Sequence, residues 1–272
     1  MGRPAEPRIA DELWARSLSQ HPICVGLSAD KRARLRERTE ELLRAVYVDA
    51  VAGVEVDEGL RLSVALQAAL PVLELGVGWY RSVRSILLVP TEYETEHTLV
   101  DEAGVVHEHA DVISGEVGDQ MPVVLSIADV EASGWGDGYN VVIHEMVHVL
   151  DASNGELDGI PALPRRQSAA TWRASFEAAF ADHRRRVDRA DRLEHAERRA
   201  GSRRPVKPPV VDSYGAEAPE EFFACSAELF FERPRRLHRA YPDLFAEYRA
   251  FFGFDPRGEA ARLRDDPEGP GG

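Results

Sequence analysis

The chain has 272 residues, of which 44% are hydrophobic and 29% are charged, and its net charge at pH 7 is −14. These proportions are ordinary for a folded globular protein, and the acidic balance argues against nucleic acid as a general partner. The apolar runs are too short to span a membrane, and the start of the chain lacks the apolar segment of a secretory signal. Because Cys24 and Cys225 are the only cysteines, we expect no disulfide framework and a reduced, cytoplasmic protein.

The first half of the chain shows helical patterns followed by strand patterns. Residues 8–47 are predicted to be helical, with Ser28 as an N-cap. A second helix is predicted over 57–70, ending before Pro71. Runs rich in β-branched and apolar residues predict strands at 85–89 and 122–126, and shorter ones near 97–100, 104–108 and 110–114.

A glycine-rich link, Gly134–Gly138, leads into the most informative segment of the chain. Residues 141–151 read V-V-I-H-E-M-V-H-V-L-D, which places His144 and His148 on one face of a helix with Glu145 beside the first. This H-E-x-x-H arrangement is typical of zinc hydrolases, in which the glutamate is the general base. The apolar flanks predict a buried helix, and a metal would satisfy two imidazoles that are otherwise costly to bury.

The second half of the chain is predicted to be mainly helical. One helix passes through Trp172, and the arginine-rich tract 184–204 after it is predicted to be a solvated helix or an insertion. Helices resume at 219–232 and 242–252, and the Pro-, Gly- and acid-rich tail from 257 is predicted to be disordered.

A catalytic zinc usually takes a third protein ligand, which has to come from another segment. Pro219 suits the first turn of a helix, and on that helix Glu221, Cys225 and Glu228 share one inward-facing side. Carboxylates on a buried apolar helix need a partner, and a cation is the obvious one. Chemistry alone does not choose between Glu221 and Glu228.

Several motifs occur in the order found in one known family. They are Gly26-Leu27-Ser28, Gln67 to Leu73, Trp79 to Ser85, Gly115-Glu116, Pro122 to Ser126, Asn140 to Asp151 and Asp212 to Phe231. Over about residues 10–256 the sequence thereby resembles the Mlc titration factor A family of zinc-dependent peptidases. The resemblance implies a zincin-like α+β fold, similar to the catalytic domain of anthrax lethal factor. Such a fold would be mostly helical, with a small twisted mixed β-sheet beside the H-E-x-x-H helix. It implies a helical region at 1–80 packed on a catalytic core at 81–256, in which 184–209 is an insertion.

The resemblance also implies roles for particular residues. His144 and His148 would be ligands of one Zn²⁺ per chain, with Glu145 as general base. The third ligand would be Glu221, which lies seven residues after the tyrosine of a D-x-Y motif, and that tyrosine, Tyr214, would stabilise the oxyanion of the transition state. The implied activity is aminopeptidase-like hydrolysis of short peptides. The alternative is a regulatory protein that sequesters a transcription repressor, Mlc in the family, with a mainly structural metal.

Further residues are candidates on their own chemistry. Asp151 falls on the ligand face of the motif helix and is predicted to orient a ligand, as is Glu228 if it is not itself a ligand. Glu116 would supply the carboxylate that an aminopeptidase needs for the substrate's α-ammonium group. Five other histidines are expected at the surface, His107 and His109 in a solvated strand and His183, His195 and His238 elsewhere.

Overall fold

The described part of the chain is mainly helical, with two small sheets. The computed structural model describes residues 9–51, 54–90, 99–100, 106–107, 121–201 and 205–260. Its helices are α1 (Asp11–Gln20), α2 (Pro22–Val25), α3 (Ala29–Ala45), α4 (Glu58–Ala69), α5 (Ile127–Ala132), α6 (Val141–Asp151), α7 (Ala169–Arg199), α8 (Pro219–Glu232), α9 (Pro234–Ala240), α10 (Pro242–Phe252) and α11 (Pro256–Ala260). Its strands are β1 (Tyr47–Ala50), β2 (Val83–Val89), β3 (Leu99–Val100), β4 (Val106–His107) and β5 (Met121–Ser126). No helix in these ranges has both the length and the apolar character that a membrane span needs.

Capping residues and prolines set the helix boundaries in the first half. The Ser28 hydroxyl accepts the backbone N–H of Lys31 at the start of α3, which confirms the predicted N-cap. The helical prediction for 8–47 is confirmed for most of that range, in which the structure has three helices and, from Tyr47, a strand. The first break is at His21, which is extended (φ −110°, ψ 101°). A residue that precedes a proline, as His21 precedes Pro22, is driven out of the helical region.

The main sheet has three parallel strands in the order β1-β2-β5. The predicted strands at 85–89 and 122–126 are confirmed. The short β1 was not predicted, because it begins at the end of the segment predicted to be helical. A mixed sheet was expected, but the strands described in this sheet are all parallel. The reason for the first pair is that α4 carries the chain across from β1 before it enters β2, a crossover that returns the next strand in the same direction.

A second sheet pairs β3 with β4 antiparallel, with Leu99 opposite His107. These strands fall within the predicted segments 97–100 and 104–108. The predicted strand at 110–114 lies outside the described residues.

Helix α8 lies at the centre of the packing. All of its residues from Glu221 to Glu232 are buried. The ring of Trp172 packs edge to face on Phe223 of this helix and on Phe251, and the Tyr248 ring is tilted against Phe223. One hydrophobic cluster extends from Trp14 to Phe254, and β1 completes a sheet whose other strands come from the later part of the chain. The division into a helical region at 1–80 and a catalytic core at 81–256 stays a prediction. Carboxylates on a helix buried this fully require partners inside the protein.

The arginine-rich tract continues α7. One side of this helix is buried at Trp172, Phe176, Ala179 and His183, and from Arg184 to its end the helix is mostly exposed. A solvated helix was one of the two predictions for this tract. His183 was expected at the surface and is instead fully buried, where its Nε2 donates to the backbone oxygen of Asp212 at 2.9 Å. Its ring stacks on Phe222, so contact with a distant helix determines its burial.

Part of the tail that was predicted to be disordered from residue 257 is helical. Residues 256–260 form α11, because Pro256 is suited to the first turn of a helix. Residues 261–272 lie outside the described part of the chain.

Candidate metal centre

Three candidate ligands from two helices converge on one point. His144 Nε2 lies 3.1 Å from Glu221 Oε2, and His148 Nε2 lies 3.5 Å from the same oxygen. The two imidazoles come from successive turns of α6, and their ring centroids are 4.8 Å apart. The Glu221 side chain reaches them from the first turn of α8, so the spacing of H-E-x-x-H does place both rings toward one carboxylate.

The ligand atoms form two overlapping groups that are each close enough to hold one ion. Within 4.8 Å of one another lie those of His144, Glu145 and His148, and separately those of His144, Cys225 and Glu228. Glu221, which belongs to neither group, contacts the Nε2 of His144, whereas Glu228 contacts its Nδ1. Two imidazoles and one carboxylate meet on the Nε2 side, which is the donor set typical of a catalytic zinc site.

Glu228 holds His144 from behind. The Nδ1 of His144 donates to Glu228 Oε1 at 2.8 Å, and this hydrogen bond leaves Nε2 as the nitrogen available to a metal. Burial lowers the pKa of His144, but hydrogen bonds with Cys225, Glu221 and Glu228 outweigh it and raise that pKa well above its ordinary value. This is the contact that an orienting role of Glu228 requires, and the role itself stays a prediction.

Glu221 and Tyr214 lie together at the Nε2 side. Burial raises the pKa of Glu221, yet hydrogen bonds from His144 and His148 bring that pKa well below its ordinary value, so the carboxylate is ionised at neutral pH. Asp212 accepts the backbone N–H of Tyr214 at 2.9 Å and fixes the short turn that carries it. The Tyr214 ring centroid is 6.2 Å from that of His144. Burial, and then the charge of Glu221, raise the pKa of Tyr214, so it remains a neutral hydrogen-bond donor.

Asp151, at the end of α6, binds the loop that follows this helix. Its Oδ2 accepts the N–H of Gly159 at 2.9 Å, while its Oδ1 is buried and has no hydrogen-bond partner among the described residues. Burial raises the pKa of Asp151 to about 7, partly offset by the Gly159 hydrogen bond and then by the charge of His148. The structure shows no direct bond from this carboxylate to a candidate ligand, and its predicted orienting role stays a prediction.

A buried polar network at the start of α6 was missed in the sequence. Asn140 accepts the N–H of Ile143 through Oδ1 at 3.0 Å, and its Nδ2 donates to Gln67 Oε1 at 2.8 Å and to Glu232 Oε1 at 3.0 Å. Its backbone N–H donates to Glu228 Oε2. An asparagine directly before an apolar helical run is an N-cap signal. No local signal identifies its partners on α4 and α8.

Glu116 and two histidines of the predicted strands cannot be assessed. Glu116 lies outside the described residues, as does His109. For His107 the structure describes the backbone, in β4, and not the side chain. The loop carboxylate proposed for the α-ammonium group therefore stays a prediction.

The residues present fit a bound divalent metal. The Nε2 atoms of His144 and His148 both approach Glu221 Oε2, and the hydrogen bond of His144 Nδ1 with Glu228 already fixes the orientation of the His144 ring. An ionised carboxylate that is only 3% exposed needs a cation or several donors nearby. A metal between the two Nε2 atoms and Glu221 meets that requirement. A buried helix with two such histidines and an adjacent glutamate, faced by a second carboxylate helix, defines a candidate metallohydrolase.

Comparison with known proteins agrees with this class. A family model described as glucose-regulated metallo-peptidase M90 matches residues 3–253, and the chain belongs to that family. Relatives include the Mlc titration factor A of Salmonella arizonae, 32% identical over 94% of this chain and 94% of that protein. Those of an Enterobacter species and of Cronobacter sakazakii are 30% and 31% identical, each over 90% of this chain and over 86% and 87% of their own lengths.

Proposed function

We propose that the protein is a zinc-dependent peptidase whose metal is held by His144, His148 and Glu221. The observation that carries the proposal is the approach of both Nε2 atoms to one oxygen of Glu221. Zinc is favoured over other divalent ions because two imidazoles and one carboxylate are its usual catalytic ligands. Membership of a metallopeptidase family supports the reaction class.

The chain's own residues supply the remaining parts of the reaction. Zinc bound at this site would lower the pKa of a bound water and polarise the scissile carbonyl. Glu145, half-buried beside the ligands, takes the proton of the attacking water and passes it to the leaving amine. The neutral phenol of Tyr214 donates a hydrogen bond to the oxyanion that develops. Glu228 keeps the His144 ring in one tautomer throughout.

The proposed substrates are short peptides cleaved near the amino terminus. Strand β5 lies at one end of the described sheet and leads through α5 toward the ligand helix. An extended peptide would bind by adding to an edge of this sheet. Glu116 is proposed to bind the α-ammonium group, and Glu116→Gln should then reduce turnover of amino-acid anilides.

Comparison of wild type with Glu145→Gln tests the proposed reaction. Both proteins should bind one equivalent of zinc, because Glu145 is not a proposed ligand, while the variant should lose peptidase turnover by about 100-fold or more. Zinc content is measured by atomic emission and turnover on unblocked peptides. Equal turnover in the two proteins would contradict the mechanism.

A second function rests on the names of the relatives. Proteins that are 30–32% identical to this chain are called Mlc titration factor A, which favours binding of a transcription repressor. Calorimetric titration of a purified Mlc-type repressor into wild type and Glu145→Gln distinguishes the two functions. Tight binding to both, without peptidase turnover in the wild type, would favour the regulatory role.

A further inference from the structure

The buried side of α7 ends in a histidine at a position where helical periodicity favours an apolar residue. This side consists of Trp172, Phe176, Ala179 and His183, whose spacing is that of a single helix face. The side chain of His183 is fully buried. A buried imidazole costs free energy unless its polar atoms find partners, a cost that an apolar side chain avoids. The contacts of the His183 ring therefore explain its place in the core better than packing alone.

One nitrogen of the His183 ring bonds to the segment that carries Tyr214. Burial is the largest cause of a lowered pKa at His183, opposed by the hydrogen bond to Asp212, so the ring is neutral and has one N–H. This N–H is at Nε2, because it is donated to the backbone oxygen of Asp212 at 2.9 Å. Among the described residues, the buried Nδ1 has no hydrogen-bond partner. The polar contact of the ring is thus directed at Asp212.

The Tyr214 turn, residues 212–217, is built around Asp212. The backbone oxygen of Asp212 also accepts the N–H of Gly215 at 3.2 Å, and the carbonyl of Tyr214 accepts the N–H of Glu217 at 3.0 Å. The Oδ1 of Asp212 accepts the N–H of Tyr214 at 2.9 Å. A shift of Asp212 would therefore move the backbone that carries the Tyr214 side chain.

The Tyr214 turn packs closely on α8, beside the proposed ligand Glu221. A Cβ at Gly215 would lie 3.3 Å from the Cβ of Cys225 and 3.4 Å from the Cα of Phe222, so glycine allows this close approach. The Tyr214 ring centroid is 6.2 Å from that of His144. His183 contacts both parts of this arrangement, since its ring also stacks on Phe222 with centroids 5.4 Å apart.

We propose that His183 is a positioning residue for the reaction, which holds the Asp212 carbonyl and thereby places the Tyr214 phenol for the oxyanion. His183 itself contacts neither the proposed ligands nor the substrate. A donor fixed in the core of a long helix orients Tyr214 before substrate arrives, so the phenol needs no reorganisation in the transition state. The inference rests on the proposed peptidase function.

Steady-state turnover of an unblocked peptide by the zinc-loaded protein is the first test. His183→Leu keeps the bulk and removes the donor, and should lower kcat by roughly tenfold while KM and zinc content stay within about twofold of wild type. His183→Gln should restore kcat to within about threefold, because its amide nitrogen reaches the position of Nε2. His183→Asn is too short and should behave like His183→Leu. If His183→Leu does not fold, the comparison of the Gln and Asn variants decides the question.

A double-mutant cycle with Tyr214→Phe separates positioning from a general loss of structure. If His183 acts through the phenol, adding His183→Leu to Tyr214→Phe should lower kcat by less than about twofold more. A further tenfold loss in that background would show an effect independent of the phenol and would overturn the proposal.

Hydrogen exchange of the metal-free protein gives a readout that does not depend on turnover. The amides of residues 212–217, followed by mass spectrometry, should exchange roughly tenfold faster in His183→Leu than in wild type. Phe180→Leu is the matched control, because the Phe180 ring contacts the same Phe222 ring at the same centroid distance of 5.4 Å. It should change neither the exchange of these amides nor kcat.

The outcomes distinguish this proposal from the function on which it rests. Unchanged exchange in His183→Leu, or a loss of kcat in His183→Gln as large as in His183→Leu, overturns the role of His183 and leaves the peptidase function intact. A wild type that binds no zinc or hydrolyses no peptide would instead remove the proposed function and this role together.

Discussion

Asn140 should be far more important for stability than an ordinary helix cap. Its side chain is fully buried and makes three hydrogen bonds, one as the cap of α6 and two as a donor to Gln67 and Glu232. Asn140→Ala removes the cap, worth about 1 kcal/mol. It also leaves two buried oxygens without their donor, at about 1–3 kcal/mol each. The free energy of unfolding should therefore fall by about 4 kcal/mol.

Urea unfolding of the metal-free protein, followed by circular dichroism with a chelator present, measures this loss without a contribution from bound metal. The control is Ser168→Ala, because Ser168 caps α7 at an exposed position through the N–H of Thr171 and should lose only about 1 kcal/mol. Asn140→Ser keeps a capping oxygen but loses the amide donor. Its free energy of unfolding should therefore fall by most of the amount expected for Asn140→Ala. If Asn140→Ala were no worse than Ser168→Ala, the buried network would have no energetic role.

Three further changes have defined outcomes. Glu228→Gln should weaken zinc binding about 10- to 100-fold, measured by competition with a chromophoric chelator, because the ligand His144 loses the anionic acceptor of its Nδ1 hydrogen bond. In urea unfolding, the difference in the free energy of unfolding between Glu232→Gln and wild type should shift by about 2.5 kcal/mol in favour of the variant as the pH rises from 5 to 8. Gly159→Ala should lower the free energy of unfolding by more than about 2 kcal/mol in the same assay, because its Cβ would lie 2.2 Å from Phe176 Cζ at a φ of +77°.

The sign of the pH effect follows from the direction of the pKa shift at Glu232. Burial, the largest cause, raises this pKa from 4.5 to about 7 in the folded protein. The protonated carboxyl is thus favoured by folding, and stability is lost as the pH rises from about 4.5 through 7. A difference between variant and wild type that does not change with pH would contradict this.

For Gly159→Ala the control is Gly155→Ala, which has a positive φ of +95° but nothing within 4 Å of the added Cβ. Equal losses in the two would show that backbone strain, and not the contact with Phe176, is responsible. For Glu228→Gln, unchanged zinc affinity would mean that the hydrogen bond to His144 does not tune the metal.

Features that depend on neighbouring residues could be predicted from the sequence. The H-E-x-x-H face of α6 and the Ser28 cap are both determined within one or two helical turns. The resemblance predicted the family, and the family model confirms it. Asn140 belongs with these features, since its capping position is readable although its network is not.

Features that depend on distant packing could not be predicted. The hydrogen bonds from Asn140 to Gln67 and from Gly136 to Glu232 join residues 73 and 96 positions apart. Helical periodicity could not separate Glu221 from Glu228, because seven residues are two turns and return to the same face. The structure shows that they contact opposite nitrogens of one imidazole, that of His144.

The location of a bound zinc ion tests the account most directly. Crystals of the zinc-loaded protein, measured at the zinc absorption edge, should show one anomalous peak per chain between the Nε2 atoms of His144 and His148 and the carboxylate of Glu221. A peak on the Nδ1 side of His144, with Cys225 and Glu228 as ligands, would contradict the proposed catalytic centre, as would the absence of any peak at α6.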